Sequence, residues 1–142
     1  MKLALELAQK SAIAGEVPVG AVIVYKGEII AGEQNRMVEL NSLMAHAEIL
    51  VIKKALDILN VSRLEDCDLY VTLEPCTMCA GAISLVKIRR VYYGAEDEKG
   101  GAVDNGVQFF KSKTCHHRPE VIGGMNEQQA SELLKKFFAL RR

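Results

Sequence analysis

The sequence has no tryptophan, only three prolines and an aromatic content of 6%. It also has no net charge, because 18 basic and 18 acidic side chains cancel. A protein that grips a long track of duplex nucleic acid is usually basic. This charge balance therefore argues against that class of protein, and any nucleic-acid partner would have to bind a local patch or a pocket.

Long hydrophobic runs are missing as well. No apolar run approaches the roughly 20 residues that a membrane span requires. Residues 1–5 superficially resemble a signal peptide, but the polar residues Glu6, Gln9 and Lys10 interrupt the apolar run. Because the apolar positions recur at helical spacing, we predict an amphipathic helix here instead. We expect a soluble, cytoplasmic protein with no membrane partner.

The cysteines are few, and the chain does not need disulfide bonds between them. With 142 residues it is long enough to enclose a hydrophobic core, so disulfide bonds are not required for stability. The four cysteines are Cys67, Cys76, Cys79 and Cys115. There is no internal repeat, linker or low-complexity tract, and residues 1–142 are predicted to form a single domain.

Hydrophobic periodicity predicts the order α-β-β-α-β-α-β-β-α. The predicted helices span residues 2–14, 45–59, 77–88 and 126–142, and the predicted strands span 17–25, 29–33, 69–73, 90–94 and 120–122. We expect Asn126 and Gln129 to form a capping box on the last helix. Strands followed by helices favour an α/β layered sheet, with a hairpin at one edge and parallel crossovers after it.

The strongest chemical signal is His46-Ala47-Glu48 followed by Pro75-Cys76-Thr77-Met78-Cys79. Cysteines three residues apart in the first turn of a helix project to the same side, and the helix N-terminus stabilises their thiolates. His46 lies at the start of another predicted helix. The two helix starts are predicted to bring one imidazole and two thiolates around a tetrahedral zinc ion. Three protein ligands leave a fourth position for water, which is the catalytic arrangement.

A catalytic zinc site needs a residue that moves protons, and Glu48 is the candidate. Residues two apart on a helix do not normally face the same way. The conflict disappears if His46 lies at the helix entrance, where the turn is not yet regular.

Two other interpretations of the cysteine pair stay open at this point. A Cys-x-x-Cys pair alone is also compatible with redox chemistry, which gives no role to His46 or Glu48. A structural zinc site would need a fourth ligand, for which the candidates are Cys67, Cys115, His116 and His117. We expect Cys67 and Cys115 to be ordinary packed or surface cysteines.

These residues resemble the H-x-E and P-C-x-x-C signature of the zinc-dependent nucleobase deaminases. The resemblance implies a three-layer, cytidine-deaminase-like fold with a central mixed five-stranded sheet flanked by helices. It implies one Zn²⁺ per chain, held by His46, Cys76 and Cys79, with a zinc-bound hydroxide as nucleophile. Glu48 would carry protons from the water to the ring nitrogen and the departing amine.

Nearly the whole chain is similar to one branch, the bacterial tRNA-specific adenosine deaminases. The similar segments are 15–22, Asn35-Arg36, 70–82, 94–97 and Phe137-Phe138. The resemblance implies attack at C6 of the wobble adenosine in a tRNA anticodon stem-loop, giving inosine. It further implies a homodimer and points to the arginine tRNA with an ACG anticodon. Relative to that family, the chain starts inside the first helix and has His116 where many members have asparagine.

Substrate contacts follow from the same resemblance. The expected substrate-binding residues are Asn35, Ala47 (through its backbone N–H), Asp97, His117, Arg118 and Phe138. Local basic clusters that could pair with RNA phosphates include Lys87, Arg89 and Arg90, Lys111 and Lys113, and Lys135, Lys136, Arg141 and Arg142.

The main alternative is a deaminase of a free base or nucleotide, such as guanine, cytidine or deoxycytidylate, since all share the zinc chemistry. Deaminases of riboflavin synthesis have a longer second cysteine segment and fit less well. A third hypothesis is a non-catalytic, zinc-stabilised partner subunit. The presence of Glu48 argues against it, because a scaffold needs no proton shuttle.

Overall fold

The structure is a computed structural model that describes residues 1–141. Arg142, which was predicted to end the last helix, lies outside the described residues. The helices are α1 (Lys2–Ile13), α2 (Ala47–Leu59), α3 (Thr77–Leu85) and α4 (Glu127–Ala139). The strands are β1 (Gly20–Tyr25), β2 (Glu28–Gln34), β3 (Cys67–Leu73), β4 (Arg90–Ala95) and β5 (Glu120–Ile122). A short 3₁₀ turn, Phe109–Lys111, interrupts the irregular segment that follows β4.

The five strands form one mixed sheet in the order β2-β1-β3-β4-β5. Strand β1 pairs antiparallel with both β2 and β3, whereas β3, β4 and β5 run parallel. The predicted edge hairpin and the parallel crossovers are therefore confirmed. Because parallel strands end at the same edge of a sheet, the segments that follow β3 and β4 lie side by side. These two segments begin at Glu74 and Glu96.

Alternating residues of the strands serve two helical layers. Leu69 and Val71 of β3 join the core formed with α2 and α3. On the opposite face, α1 packs on β1 and β2, and α4 packs on β4. Gly20 shows how close α1 lies, since a Cβ atom there would come 1.9 Å from the carbonyl oxygen of Ala4. The predicted three-layer, cytidine-deaminase-like fold is confirmed.

Two local predictions were wrong. Helix α3 ends at Leu85 and not at residue 88, because Lys87 adopts a positive φ of 62° that a helix cannot continue through. Asn126 occupies the N-cap of α4, but its φ of 55° is left-handed and its side chain does not cap the backbone. Its Nδ2 instead donates to Oε1 of Gln129 at 2.6 Å, so the capping box is not formed.

The helices are short. Within residues 1–141, none is both long and apolar enough to cross a membrane.

Candidate metal centre and active site

His46 lies at the entrance of α2. It is the N-cap residue, with extended backbone angles (φ −71°, ψ 149°), and regular helix begins at Ala47. The side chains of His46 and Glu48 therefore escape the helical spacing that would point them apart. Both line the same cavity. This geometry is the one that the sequence required for a ligand and a proton carrier two residues apart.

Cys76 and Cys79 lie in the corresponding position on α3. Cys76 is the N-cap, and Cys79 is fully buried in the first turn. The Nδ1 atom of His46 lies 3.6 Å from the Cys76 sulfur and 3.5 Å from the Cys79 sulfur. Two such ligands on a tetrahedral zinc ion, with Zn–N of about 2.05 Å and Zn–S of about 2.3 Å, are about 3.6 Å apart. The donor set and its spacing therefore fit zinc.

Among the described residues, no fourth ligand completes a closed site. Within residues 1–141, His46, Cys76 and Cys79 form the one group of three or more possible ligand residues whose ligand atoms lie within 4.8 Å of one another. Cys67 and Cys115 are buried free cysteines outside this group. Three ligands with an open fourth position are typical of a catalytic zinc site.

The protonation of the cluster favours cation binding at one sulfur. Hydrogen bonds from Cys79 and then from His46 lower the pKa of Cys76 to about 4, in spite of its burial. Cys79 keeps its proton more firmly, since the hydrogen bond with Cys76 and burial raise its pKa. The hydrogen bond with Cys76 raises the pKa of His46. Of the two cysteines, Cys76 is thus the one that more readily forms the thiolate that binds metals.

Glu48 is the buried acid of the site. Glu48 is 4% exposed, and burial raises the pKa of its carboxyl group above the ordinary value. A carboxyl group with a raised pKa both accepts and returns a proton at neutral pH, which suits general acid–base catalysis.

The cavity beside these residues has a volume of about 250 Å³. Its polar wall is formed by Asn35, His46, Glu48, Glu74, Cys76 and Asp97, and its apolar wall includes Val17, Val19 and Leu73. A pocket with apolar walls and a few convergent polar groups is typical of a small-molecule or nucleobase site.

The side chain of Asn35 hydrogen-bonds to the first residue of α2. It is 5% exposed, its Oδ1 accepts the N–H of Ala47 at 2.9 Å, and its Nδ2 donates to the carbonyl of Val17 at 3.1 Å. The resemblance led us to expect that the Ala47 N–H binds the base. In this structure that N–H is donated to Asn35. The side-chain amide of Asn35 has two N–H donors. One of them donates to Val17, and the second remains for another partner.

The other expected substrate residues divide into two groups. Asp97 lines the cavity and also a wider cleft of about 810 Å³, which shares Val17 and Leu73 with it. Phe138, 49% exposed, lines this wider cleft.

His117 and Arg118 lie just before β5 and line neither the cavity nor the cleft. The Nε2 atom of His117 lies 2.7 Å from the carbonyl oxygen of Ile88. Arg118 donates to the carbonyl of Ser112 at 3.3 Å. Within one chain, the structure therefore does not bring these two residues to the zinc cluster.

Sequence reasoning missed two buried carboxylates that hold the loops around the cavity. Glu16 is 3% exposed and accepts the N–H groups of Val38 and Glu39 at 3.0 and 2.9 Å. Glu74 is 2% exposed and lines the cavity itself. The one signal in the sequence for Glu74 is a carboxylate placed between an apolar strand and Pro75.

The environment of Glu74 keeps it ionised. Burial raises the pKa of its carboxyl group, but N–H donors from Asp97, Asn105 and Val103 together outweigh burial and lower it below the ordinary value. The charge is therefore stabilised by backbone N–H groups and by the side-chain amide of Asn105, with no basic side chain among its hydrogen-bond donors in the described part of the chain.

Comparison with known proteins identifies the family. Residues 1–95 match the model of the cytidine and deoxycytidylate deaminase zinc-binding region. The tRNA-specific adenosine deaminase of Agrobacterium fabrum is 54% identical over 142 residues, which cover 100% of this chain and 93% of that protein. The tRNA-specific adenosine deaminase of Bacillus subtilis is 44% identical, with 97% of this chain and 86% of that protein covered.

Solved structures agree with the sequences. A structure from a study of A-to-I editing by tRNA:A34 deaminases superposes with a TM-score of 0.93 at 55% identity, covering 94% of this chain and 97% of that one. A guanine deaminase from Bacillus subtilis superposes with a TM-score of 0.65 at 32% identity, covering 99% and 90%. The chain therefore belongs to the zinc-binding cytidine and deoxycytidylate deaminases, is an enzyme, and falls within their family of tRNA-specific adenosine deaminases.

Proposed function

We propose that this enzyme converts adenosine to inosine at the wobble position of a tRNA anticodon loop. The observation that carries the reaction type is the cluster of His46, Cys76 and Cys79 at a cavity that Glu48 also lines. The preference for tRNA is supported by the similarity to tRNA-specific adenosine deaminases along the full length of the chain.

His46, Cys76 and Cys79 are the residues that hold one zinc ion per chain. When bound, zinc supplies Lewis acidity, which lowers the pKa of water toward neutrality. Glu48 accepts the proton of the attacking water, delivers a proton to the ring nitrogen, and helps protonate the amine that leaves C6. Its burial in the cavity keeps these transfers away from bulk water. Asn35 fixes the start of α2 and offers its second N–H to the base.

The wider cleft is suited to the nucleotides that flank the target base. Phe138 presents an exposed ring on which a base can stack. Two basic side chains, Lys99 and Arg141, line the same cleft, together with the acidic residues Glu96, Asp97 and Glu98. Arg89 and Arg90 are weaker candidates for RNA contacts, because they already pair with acidic partners. Those partners are Asp68 and Glu120. The cleft therefore offers a stacking ring and two basic side chains for phosphates, although its lining is not basic overall.

We further propose that the enzyme is a cytoplasmic homodimer of single-domain chains and acts on the arginine tRNA with an ACG anticodon. The dimer is supported by the loop after Met37, which exposes large apolar side chains near the cavity. Val38, Leu43 and Met44 are 73%, 86% and 65% exposed. Several exposed apolar side chains in one short loop are typical of a protein interface.

The decisive experiment is a substrate comparison. Purified enzyme is incubated with an ACG anticodon stem-loop and, separately, with free adenosine, guanine, cytidine and deoxycytidylate, and base conversion is measured. We expect inosine at the wobble position of the stem-loop and no turnover of the free compounds. A stem-loop with the target adenosine replaced by guanosine is the matched control. Turnover of guanine with an unchanged stem-loop would keep the zinc chemistry and overturn the RNA substrate.

A further inference from the structure

The segment 97–105, which follows β4, is fixed to a single carboxylate. Oε2 of Glu74 accepts the backbone N–H groups of Val103, Asp104 and Asn105, each at 3.0 Å. Oε1 accepts the N–H of Asp97 at 3.1 Å and the side-chain amide of Asn105 at 2.7 Å. Five N–H donors from one loop thus converge on one buried group. Successive backbone N–H groups that point into a concavity form a site for an anion, and here the chain supplies its own.

The same segment also contacts the zinc-ligand strand end directly. Gly101 forms an isolated antiparallel bridge with Cys76, and the N–H of Ala102 donates to the carbonyl of Pro75 at 2.9 Å. A Cβ atom on Gly101 would come 2.5 Å from the carboxyl carbon of Glu74. The loop backbone therefore lies against both the carboxylate and the backbone of a metal ligand.

Two residues of this segment, Asp97 and Gly100, line the same cavity as His46 and Glu48. We propose that Glu74 is a positioning residue of the active site, which holds residues 97–105 against Cys76 and thereby sets the substrate-facing wall. Glu74 acts through the loop and not on the reacting atoms. The inference deepens the proposed function, and the identity of the substrate whose binding it affects rests on that function.

The test is Glu74→Gln, which keeps the shape of the side chain but turns an NH₂ group toward N–H donors. We expect amide exchange of residues 103–105 to accelerate at least about tenfold, because donors left without an acceptor lose their protection. Zinc content stays at one ion per chain, since the three ligands are unchanged. KM for the stem-loop rises by about tenfold or more, with a smaller change in kcat.

Asp68→Asn is the matched control. Asp68 lies at the opposite end of β3, is 7% exposed, and accepts both hydrogen bonds from the Arg89 guanidinium at 3.0 Å. This variant loses a buried carboxylate from the same strand, so its melting temperature falls. Exchange at residues 103–105 and KM should match the wild type. If Glu74→Gln merely lowers the melting temperature as Asp68→Asn does, with KM and exchange unchanged, the positioning role is wrong.

Asn105→Ala serves if Glu74→Gln does not fold. It removes one of the five donors, so we expect a smaller acceleration of exchange at residues 103–105, and unchanged exchange would overturn the inference. Amide exchange needs no substrate. A wild-type enzyme that leaves the stem-loop unconverted would therefore refute the proposed function, while the exchange data would still decide the role of Glu74 in holding the loop.

Discussion

Glu48 combines two properties that rarely occur together in one carboxyl group. It is buried, which raises the pKa of its carboxyl group, and it lies beside the three candidate zinc ligands. Such a group is costly for folding, because a buried carboxyl needs partners to offset its desolvation. Its retention beside the cluster is explained by catalysis better than by stability.

We expect Glu48→Ala to abolish deamination while zinc stays bound. The loss of general acid–base catalysis lowers kcat by about 10²-fold to 10⁴-fold, and none of the three ligands is touched. Inosine formation and metal content are measured on the same preparation. Substantial activity in Glu48→Ala with full zinc occupancy would show that another group moves the protons, and activity lost together with zinc would assign Glu48 a structural role.

The packing of the helices leaves very different amounts of space at two glycines, one in β1 and one in α3. Gly20 in β1 leaves no room for a side chain, since a Cβ atom would come within 3 Å of the α1 residues Ala4, Leu7 and Ala8. Gly81 in α3 has nothing within 4 Å of the position of a Cβ atom. Packing therefore requires a glycine at position 20. Nothing in the packing requires one at position 81, where glycine only makes the helix backbone more flexible.

Alanine at these two positions should therefore change stability in opposite directions. Gly20→Ala forces α1 away from β1 and lowers the free energy of unfolding by about 3 kcal/mol. Gly81→Ala raises it by about 0.5 to 1 kcal/mol, because alanine restricts the unfolded chain and favours helix. Urea unfolding of both variants in excess zinc measures the difference. A Gly20→Ala protein as stable as wild type would contradict the close packing of α1 on the sheet.

At the scale of the whole molecule, the exposed apolar loop after Met37 is the feature that a single chain leaves unexplained. Glu16 holds the loop in place through the N–H groups of Val38 and Glu39. The loop is thus presented in a fixed conformation with its apolar side chains in water. A rigid apolar surface of this kind is stabilised when a second copy of the chain covers it.

Leu43→Asp should convert the proposed dimer into a monomer. Leu43 is 86% exposed, so the variant should fold normally, and burying its charge in an interface would cost several kcal/mol of association free energy. Sedimentation equilibrium gives the mass. Ile13→Asp is the control, because Ile13 is 88% exposed at the end of α1, outside this loop. A monomeric wild type, or a Leu43→Asp dimer, would refute an interface at this loop.

The α/β class and the cysteine pair could be predicted from the sequence, because both depend on local patterns. Periodicity places the helices and strands, and a helix start brings Cys76 and Cys79 to one side within a single turn. The extended N-cap conformation of His46 was required by the spacing to Glu48 and is present. The meeting of His46 with Cys76 and Cys79, 30 and 33 residues further along the chain, is not local, and it was expected from the H-x-E and P-C-x-x-C signature.

The residues that enclose the cavity could not be predicted from the sequence and became apparent in the folded chain. Glu74 meets donors up to 31 residues away, and Glu16 meets donors up to 23 residues away. Loop paths of that kind carry no periodicity, so their partners cannot be predicted from spacing. The same reason explains why Asp97 lines the cavity while His117 and Arg118, equally suggested by resemblance, do not. Side-chain chemistry at a helix start is local, whereas the enclosure of a cavity depends on contacts between distant loops.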